Sequence, residues 1–243
     1  MPITFWIEGT QLPQSQVDAW EQRRMKAASR FLDVPIPATD DLNSVRIALA
    51  EAKRSIGYEQ LVKRLRIRLR IADVMAKIFG WISGRRRTSC VVTVQVDGLS
   101  AEKIASGLQA VWLSPSPAND VANLSACPDH YALVARDDER LEVIEATGGS
   151  PLPTQFFVDG SDESGLTTTR DSSYSHQAAG TARLKDGTVI GGIRHQFRDA
   201  DKGADVRLCV EFPASMPRYF IRQHQLHLAC EFGNWFRYLR GDP

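Results

Sequence analysis

The stretch MPRYFIRQHQLHLACEFGNWFRY, residues 216–238, decides how this chain is read. Wound as a helix at about 100° per residue, it puts Phe220, Ile221, Leu228, Phe232, Trp235 and Tyr238, with Leu239 just beyond, in roughly one third of the circle. Arg222, Gln225 and Arg237 fall on the opposite side. His224 and Glu231 lie inside the apolar sector and His227 at its edge, and their spacings of three and four stack them on one face. Burying a carboxylate on such a face is costly unless it is paired or bound to a metal. Two imidazoles and a carboxylate within two turns can supply ligands to zinc or a similar divalent ion. They can equally be a hydrogen-bonded Glu231–His227 pair that only orders a core. HxxxE alone is a common pattern, and the chemistry leaves both readings open.

Upstream of this helix the periodicity changes. Pro213 and Pro217 break the chain. From Ala204 to Phe212, Val206, Leu208, Val210 and Phe212 alternate with polar residues, which predicts a strand with one buried face. Lys185-Asp186-Gly187 is a hairpin turn between strands at 181–184 and 188–197. Further strands are predicted from His130 to Ala135, Arg140 to Ala146 and Thr154 to Val158, and a β-branched one over 90–96. Ser100 caps a helix running to about Trp112, and 114–117 reads as a loop. The polar stretch 159–180 is a long loop or weak strands bordering a site. Strand, helix, antiparallel strands and a long closing helix make an α+β chain whose sheet must be covered on its apolar face. This order resembles the helix-grip fold of START-like proteins, an antiparallel sheet wrapped on a C-terminal helix with a cavity between them.

Partners for the helix residues have to come from the sheet. His130 opens one strand and Glu145 nearly closes the next, just before Thr147-Gly148-Gly149. His195 lies between Ile193 and Phe197 on the strand after the hairpin, and His176 in the polar stretch. Four of the five histidines thus fall in segments that can line one cavity.

The run from His227 to Leu239, with Glu231 and Asn234, resembles the last helix of the phloretin hydrolase and diacetylphloroglucinol hydrolase family. Residues 203–213 are similar to that family's penultimate strand, His195-Gln-Phe to the strand before it, and Glu145 to Gly149 to a further segment. The resemblance covers roughly 91–239. It implies a helix-grip hydrolase that cuts a carbon–carbon bond between an acyl group and a phenolic ring, with a metal, usually zinc, held by two His and two Glu. Carried over, the metal ligands are His227 and Glu231, Glu145, and His130. The family's His-rich HPxDH-like stretch has no counterpart in 131–140, which leaves His130 to serve as the second histidine. His195, with His224 as second choice, is then expected to move the proton to the leaving ring carbon. Tyr131, Tyr174, Asn234 and Trp235 are expected to bind the aromatic substrate. The alternative is a non-catalytic START-like carrier of an apolar or polyketide-type ligand.

Residues 1–87 are expected to form a helical extension to a helix-grip domain at 88–243. Helices are predicted at 14–32, 45–56 behind an Asp40-Asp41 start, and 58–83, where Leu61, Leu65, Leu69, Ala72, Met75 and Phe79 form a stripe. The alternation across 65–71 also permits a strand, but the three–four spacing continues on both sides. Lys63 to Arg87 is basic, which reads as a solvated face or as a membrane- or partner-docking helix. A net charge of +1 argues against a nucleic-acid partner. A homo-oligomer is compatible with the sequence. Cys90, Cys127, Cys209 and Cys230 form no CxxC pair, so neither a disulfide framework nor a cysteine zinc site is expected. With no signal-like start and no run of about 18 apolar residues, a cytoplasmic protein is expected. Walker, GxGxxG and GxSxG loops are absent, against nucleotide chemistry and nucleophile-elbow hydrolysis.

Overall fold

The computed structural model describes residues 1–39, 41–138 and 140–242. Asp40, expected at a helix start, lies outside the described residues, as do Glu139 and Pro243. The chain opens with strands β1 (Ile3–Ile7) and β2 (Thr10–Leu12), followed by helices α1 (Gln14–Leu32), α2 (Leu42–Ile56) and α3 (Tyr58–Ser83). Strand β3 (Arg87–Asp97) leads to α4 (Ala101–Leu113) and α5 (Pro117–Ala126). Six strands follow: β4 (His130–Ala135), β5 (Leu141–Glu145), β6 (Thr154–Asp159), β7 (His176–Arg183), β8 (Val189–Ala200) and β9 (Gly203–Pro213). A short 3-10 turn at Thr147–Gly149 separates β5 from β6, and α6 (Arg218–Arg240) closes the fold.

The strands form one nine-stranded antiparallel sheet in the order β2-β1-β3-β9-β8-β7-β6-β5-β4. Its apolar face curls around α6. Val92, Val94, Phe197 and Leu208 from the sheet meet Leu228, Phe232 and Phe236 from the helix, with Ile104 and Leu108 of α4 alongside. This is the helix-grip architecture, as the strand pattern and closing helix predict.

Local chemistry sets most boundaries. The Asp41 carboxylate accepts from the backbone N–H groups of Asn43 and Ser44 at the start of α2. Ser100 does the same for Lys103 at α4. Residues 65–71 are helical, because Leu61, Leu65 and Leu69 all bury against Leu32, Tyr131 and Ile144 on the back of β4–β5. Gly191, at φ +143, lies where an added Cβ would sit 1.8 Å from the Glu211 carbonyl oxygen, so only glycine lets β8 and β9 approach there.

Two features depart from the sequence reading. The loop expected after Leu113 leads into α5, with Ser116 accepting from Asn119 N–H and Pro117 in the first turn. The stretch 1–87 is also not helical throughout. Ile3–Ile7 pairs with β3 across the expected 87/88 boundary, Phe5 opposite Val94, and turns into β2 through Glu8 and Gly9, both at positive φ. Five residues of alternation are too few to distinguish a strand from a helix end by period alone.

Phe5 is 1% exposed, and its ring approaches Gly233 of α6. Phe5→Ala is expected to cost about 3–5 kcal/mol, read as a lowered urea midpoint with an unchanged denaturant slope.

Candidate metal centre

On α6, the i, i+4 spacing brings His227 Nε2 to 3.3 Å from Glu231 Oε2. At the far edge of the sheet, β4 and β5 pair His130 directly opposite Glu145. A β-bulge follows His130, and such bulges re-aim side chains. The two pairs meet. His130 Nε2 lies 3.0 Å from Glu231 Oε2 and 3.3 Å from His227 Nε2. Glu145 Oε2 lies 3.8 Å from His227 Nε2 and 3.9 Å from His130 Nε2. Four donors bonded tetrahedrally at about 2.0–2.2 Å to one ion stand about 3.3–3.6 Å apart, and these separations bracket that range. Two overlapping trios, Cys127 with His130 and His227, and Glu145 with His224 and His227, also keep one ligating atom each within 4.8 Å of the others. The cluster is a buried group of residues able to hold a metal ion.

The surroundings fix which atoms face inward. His130 Nδ1 lies 2.8 Å from the Asn123 carbonyl oxygen, which can only accept, so Nδ1 carries a proton and Nε2 is left to the cluster. His227 Nδ1 faces Cys127 Sγ at 3.7 Å and Asp129 Oδ2 at 4.0 Å. Asp129 is itself gripped by Arg24 of α1, whose Nε and terminal nitrogen donate at 2.8 and 2.7 Å. Trp20 of α1 packs edge-on to the His227 ring. The buried Lys53 of α2 donates to the carbonyls of Pro128 and His130 and so pins the start of β4. Gly148, at φ +57, brings the turn after Glu145 so close to α6 that a Cβ would lie 2.5 Å from the Phe220 carbonyl oxygen.

Burial pushes the Glu145 carboxyl up to about 7, against the pull of His227 and His130. Burial acts on Glu231 in the same sense, but the charge on His227 and hydrogen bonds from both imidazoles outweigh it and hold this carboxyl low. Burial lowers His130 and His227 too, but the hydrogen bond to Glu231 and the nearby Cys127 sulfur outweigh it in His130, and Cys127 followed by Glu231 and Glu145 outweigh it in His227, so both imidazoles are raised. His195 and His224 behave oppositely. Burial carries His195 down to about 4 and His224 well below its ordinary value.

The cluster forms the inner end of a cavity of about 250 Å³. Its walls are apolar, including Phe156 and Val158 of β6, Phe212 of β9, and Phe220, Phe232 and Trp235 of α6. Glu145, Glu231, His130, His195 and His224 supply its polar end. His195 Nδ1 accepts from the Cys209 backbone N–H at 3.2 Å, so the neutral ring carries its proton on Nε2. His224 stacks on His227 and stands edge-on to Phe212. Its Nδ1 is buried with no hydrogen-bond partner among the described residues, as are the indole nitrogens of Trp112 and Trp235.

Six of the sequence-derived site residues therefore line this cavity, namely His130, Glu145, His195, His224, Glu231 and Trp235, and His227 lies directly against them. Three do not line it. Tyr131 follows His130 at the bulge and points to the opposite side of the sheet, against Phe31. Tyr174 is buried in the 160–175 loop under the Arg198 guanidinium. Asn234 turns away on α6 and donates to Glu21 and to the Ala126 carbonyl. Sequence reasoning missed Trp112 and the contribution of Met75 and Phe79 of α3, which also line the cavity. The stripe spacing of α3 puts these two on its apolar stripe but does not say what that stripe covers.

Strand order, antiparallel pairing and the closing helix define a helix-grip protein. A solved chain that aligns with it is the crystal structure of Ara h 8.0201, with a TM-score of 0.41 and 10% identity over 65% of this chain and 100% of that one. No protein-family model matches the sequence. No curated protein matches it either.

Glu145 binds its proton more tightly folded (about 7) than unfolded (4.5). Between those values the folded state holds more protons, so the metal-free protein loses stability as pH rises, and the deficit is complete above about 7. Metal-free Glu145→Gln is therefore expected to be more stable than the parent at pH 8, by on the order of 3 kcal/mol, and the gap should close below pH 4.5. Thermal unfolding across that range measures it.

Proposed function

We propose that this protein is a metal-dependent hydrolase that cleaves the carbon–carbon bond between an acyl group and a phenolic ring, with a small aromatic substrate held in the cavity under α6. The observation that carries the reading is the convergence of His130 Nε2, His227 Nε2, Glu231 Oε2 and Glu145 Oε2 at the polar end of an apolar cavity. The resemblance of 203–213 and 227–239 to segments of the phloretin hydrolase family supports the same chemistry. The donor set fits zinc, because two imidazoles and two carboxylates suit a borderline-soft divalent ion. The His130 tautomer fits as well, since its Nδ1–H is already engaged by a backbone carbonyl.

His130, Glu145, His227 and Glu231 would hold the ion. A bound divalent ion of this kind polarises a carbonyl oxygen and lowers the pKa of a bound water. The chain's own residues do the rest. Phe156, Phe212, Phe232 and Trp235 exclude bulk water and offer flat faces to an aromatic ring. His195 is the expected proton mover, yet its neutral ring has only an Nε2–H to offer, and giving that up would leave an imidazolate. Its better role is to donate a hydrogen bond to a substrate oxygen where charge gathers. The unpartnered Nδ1 of His224 and indole N–H groups of Trp112 and Trp235 are further polar contacts for ring hydroxyls.

The apolar walls also suit a second reading, a non-catalytic carrier of an apolar ligand. Metal content by mass spectrometry separates the two. Close to one zinc or similar ion per chain, lost in Glu231→Gln, is the expected result, and no metal in the parent after zinc reconstitution leaves the carrier. His195→Gln is expected to keep its metal while turnover of an acyl-phenol falls about 10²–10³-fold. Unchanged turnover in that variant would remove His195 from the mechanism.

A further inference from the structure

Helix α3 has two faces with different company. Its inner face puts Met75, Ala76 and Phe79 on the cavity. Its outer face is unusually apolar. Of twelve exposed large hydrophobic residues among the described ones, seven lie on α3, six of them on its outer face and the seventh, Met75, at the cavity rim, so this is a patch rather than scatter. Ile67, Ile71, Val74, Ile78, Trp81 and Ile82 fall within about a 100° sector of the helix, and Trp81 is 85% exposed.

Charge frames this stripe. Residues 58–87 hold nine basic side chains against two acidic ones, in a chain whose net charge is only +1. Lys63 and Arg70 border the sector, Arg66 and Arg68 lie further round, and Arg85, Arg86 and Arg87 follow the helix end. Lys77 pairs with Asp73 and Asp186, whereas the other eight make no ion pair with a carboxylate among the described residues. An apolar stripe bordered on one side by Lys63, Arg66 and Arg70, and followed by Arg85 to Arg87, matches an interfacial helix that buries its stripe at the headgroup boundary and sets its cations against anionic lipid, while Arg68 on the other side stacks on Phe31. A second copy of the chain fits less well, since a two-fold contact would bring the same cationic set against itself. Among the described residues no helix is long and apolar enough to cross a membrane, and the contact proposed is one of lying on the surface.

We propose that the outer face of α3 docks this protein on an anionic lipid surface, placing the cavity wall formed by Met75, Ala76 and Phe79 next to the membrane. This surface is independent of the metal cluster, and its failure leaves the metal reading standing.

The test is co-sedimentation with phosphatidylcholine vesicles with and without phosphatidylserine, using the full chain. Binding is expected to require phosphatidylserine and to weaken as added salt shortens the Debye length to about 3 Å at 1 M. Arg66→Glu with Arg70→Glu should weaken it by at least about tenfold, as each cation near the surface is worth about 1 kcal/mol. Ile71→Gln with Ile78→Gln should weaken it similarly, with the circular dichroism spectrum unchanged, and brominated lipid should quench parent fluorescence more than that of Trp81→Phe. No binding at low salt overturns the proposal. So does binding that both double variants retain, or a dimer in sedimentation analysis that the Ile71→Gln, Ile78→Gln variant abolishes.

Discussion

A carboxylate on the apolar face of the closing helix is the constraint on which the fold turns. Glu231 is 7% exposed on a helix face whose neighbours in sequence, Leu228, Phe232 and Trp235, all belong to the core. Left alone it would cost several kcal/mol. Imidazoles answer it on either side, His227 from one turn earlier and His130 from the outermost strand. For His130 to arrive, the sheet must curl far enough that its last hairpin reaches the helix its central strands already touch. Curvature, cavity and cluster are thus one arrangement, because the space left between wrapped sheet and helix is the cavity.

The helices before β3 do more than shield the back of the sheet. Their side chains reach the residues around His130 and His227. Arg24 holds Asp129 beside His227, Trp20 closes over the His227 ring, and Lys53 ties down the backbone on either side of Asp129. Such outer contacts decide the orientation of an imidazole and therefore which nitrogen it offers. Glu21 adds a buried bidentate pair with Arg46 and receives Asn234 from α6, which locks α1, α2 and α6 to one another.

The closing helix is legible in the sequence because its period is long and its polar exceptions are costly. Spacings of three and four are enough to place His224, His227 and Glu231 on one face. His130 and Glu145 can be named as strand ends, and their meeting follows from the helix-grip order. What stays hidden depends on contacts without local signal. Tyr131 sits next to His130 in sequence, and alternation alone cannot say that a bulge re-aims one and sends the other outward. Asn234 shares the motif of the helix, yet its side chain answers Glu21, on the far side of the sequence. The strand at 3–7 is too short to declare a period, and the stripe of α3 does not reveal that Phe79 meets a cavity.

The pairing of His130 with Glu145 across one hairpin, and of His227 with Glu231 along one helix turn, has a consequence in coordination terms. As the proposed metal site, the cluster would act as two bidentate chelators, each prearranged by short-range geometry, rather than as four separate donors. One chelator rides on a rigid helix that the whole core surrounds. The other rides on the sheet's terminal hairpin, whose outer strand β4 has a neighbour on one side only. Release of an ion by stepwise denticity loss would therefore begin at the hairpin, and the lifetime of the complex would be set by how often that edge lifts. The helix pair would hold on last.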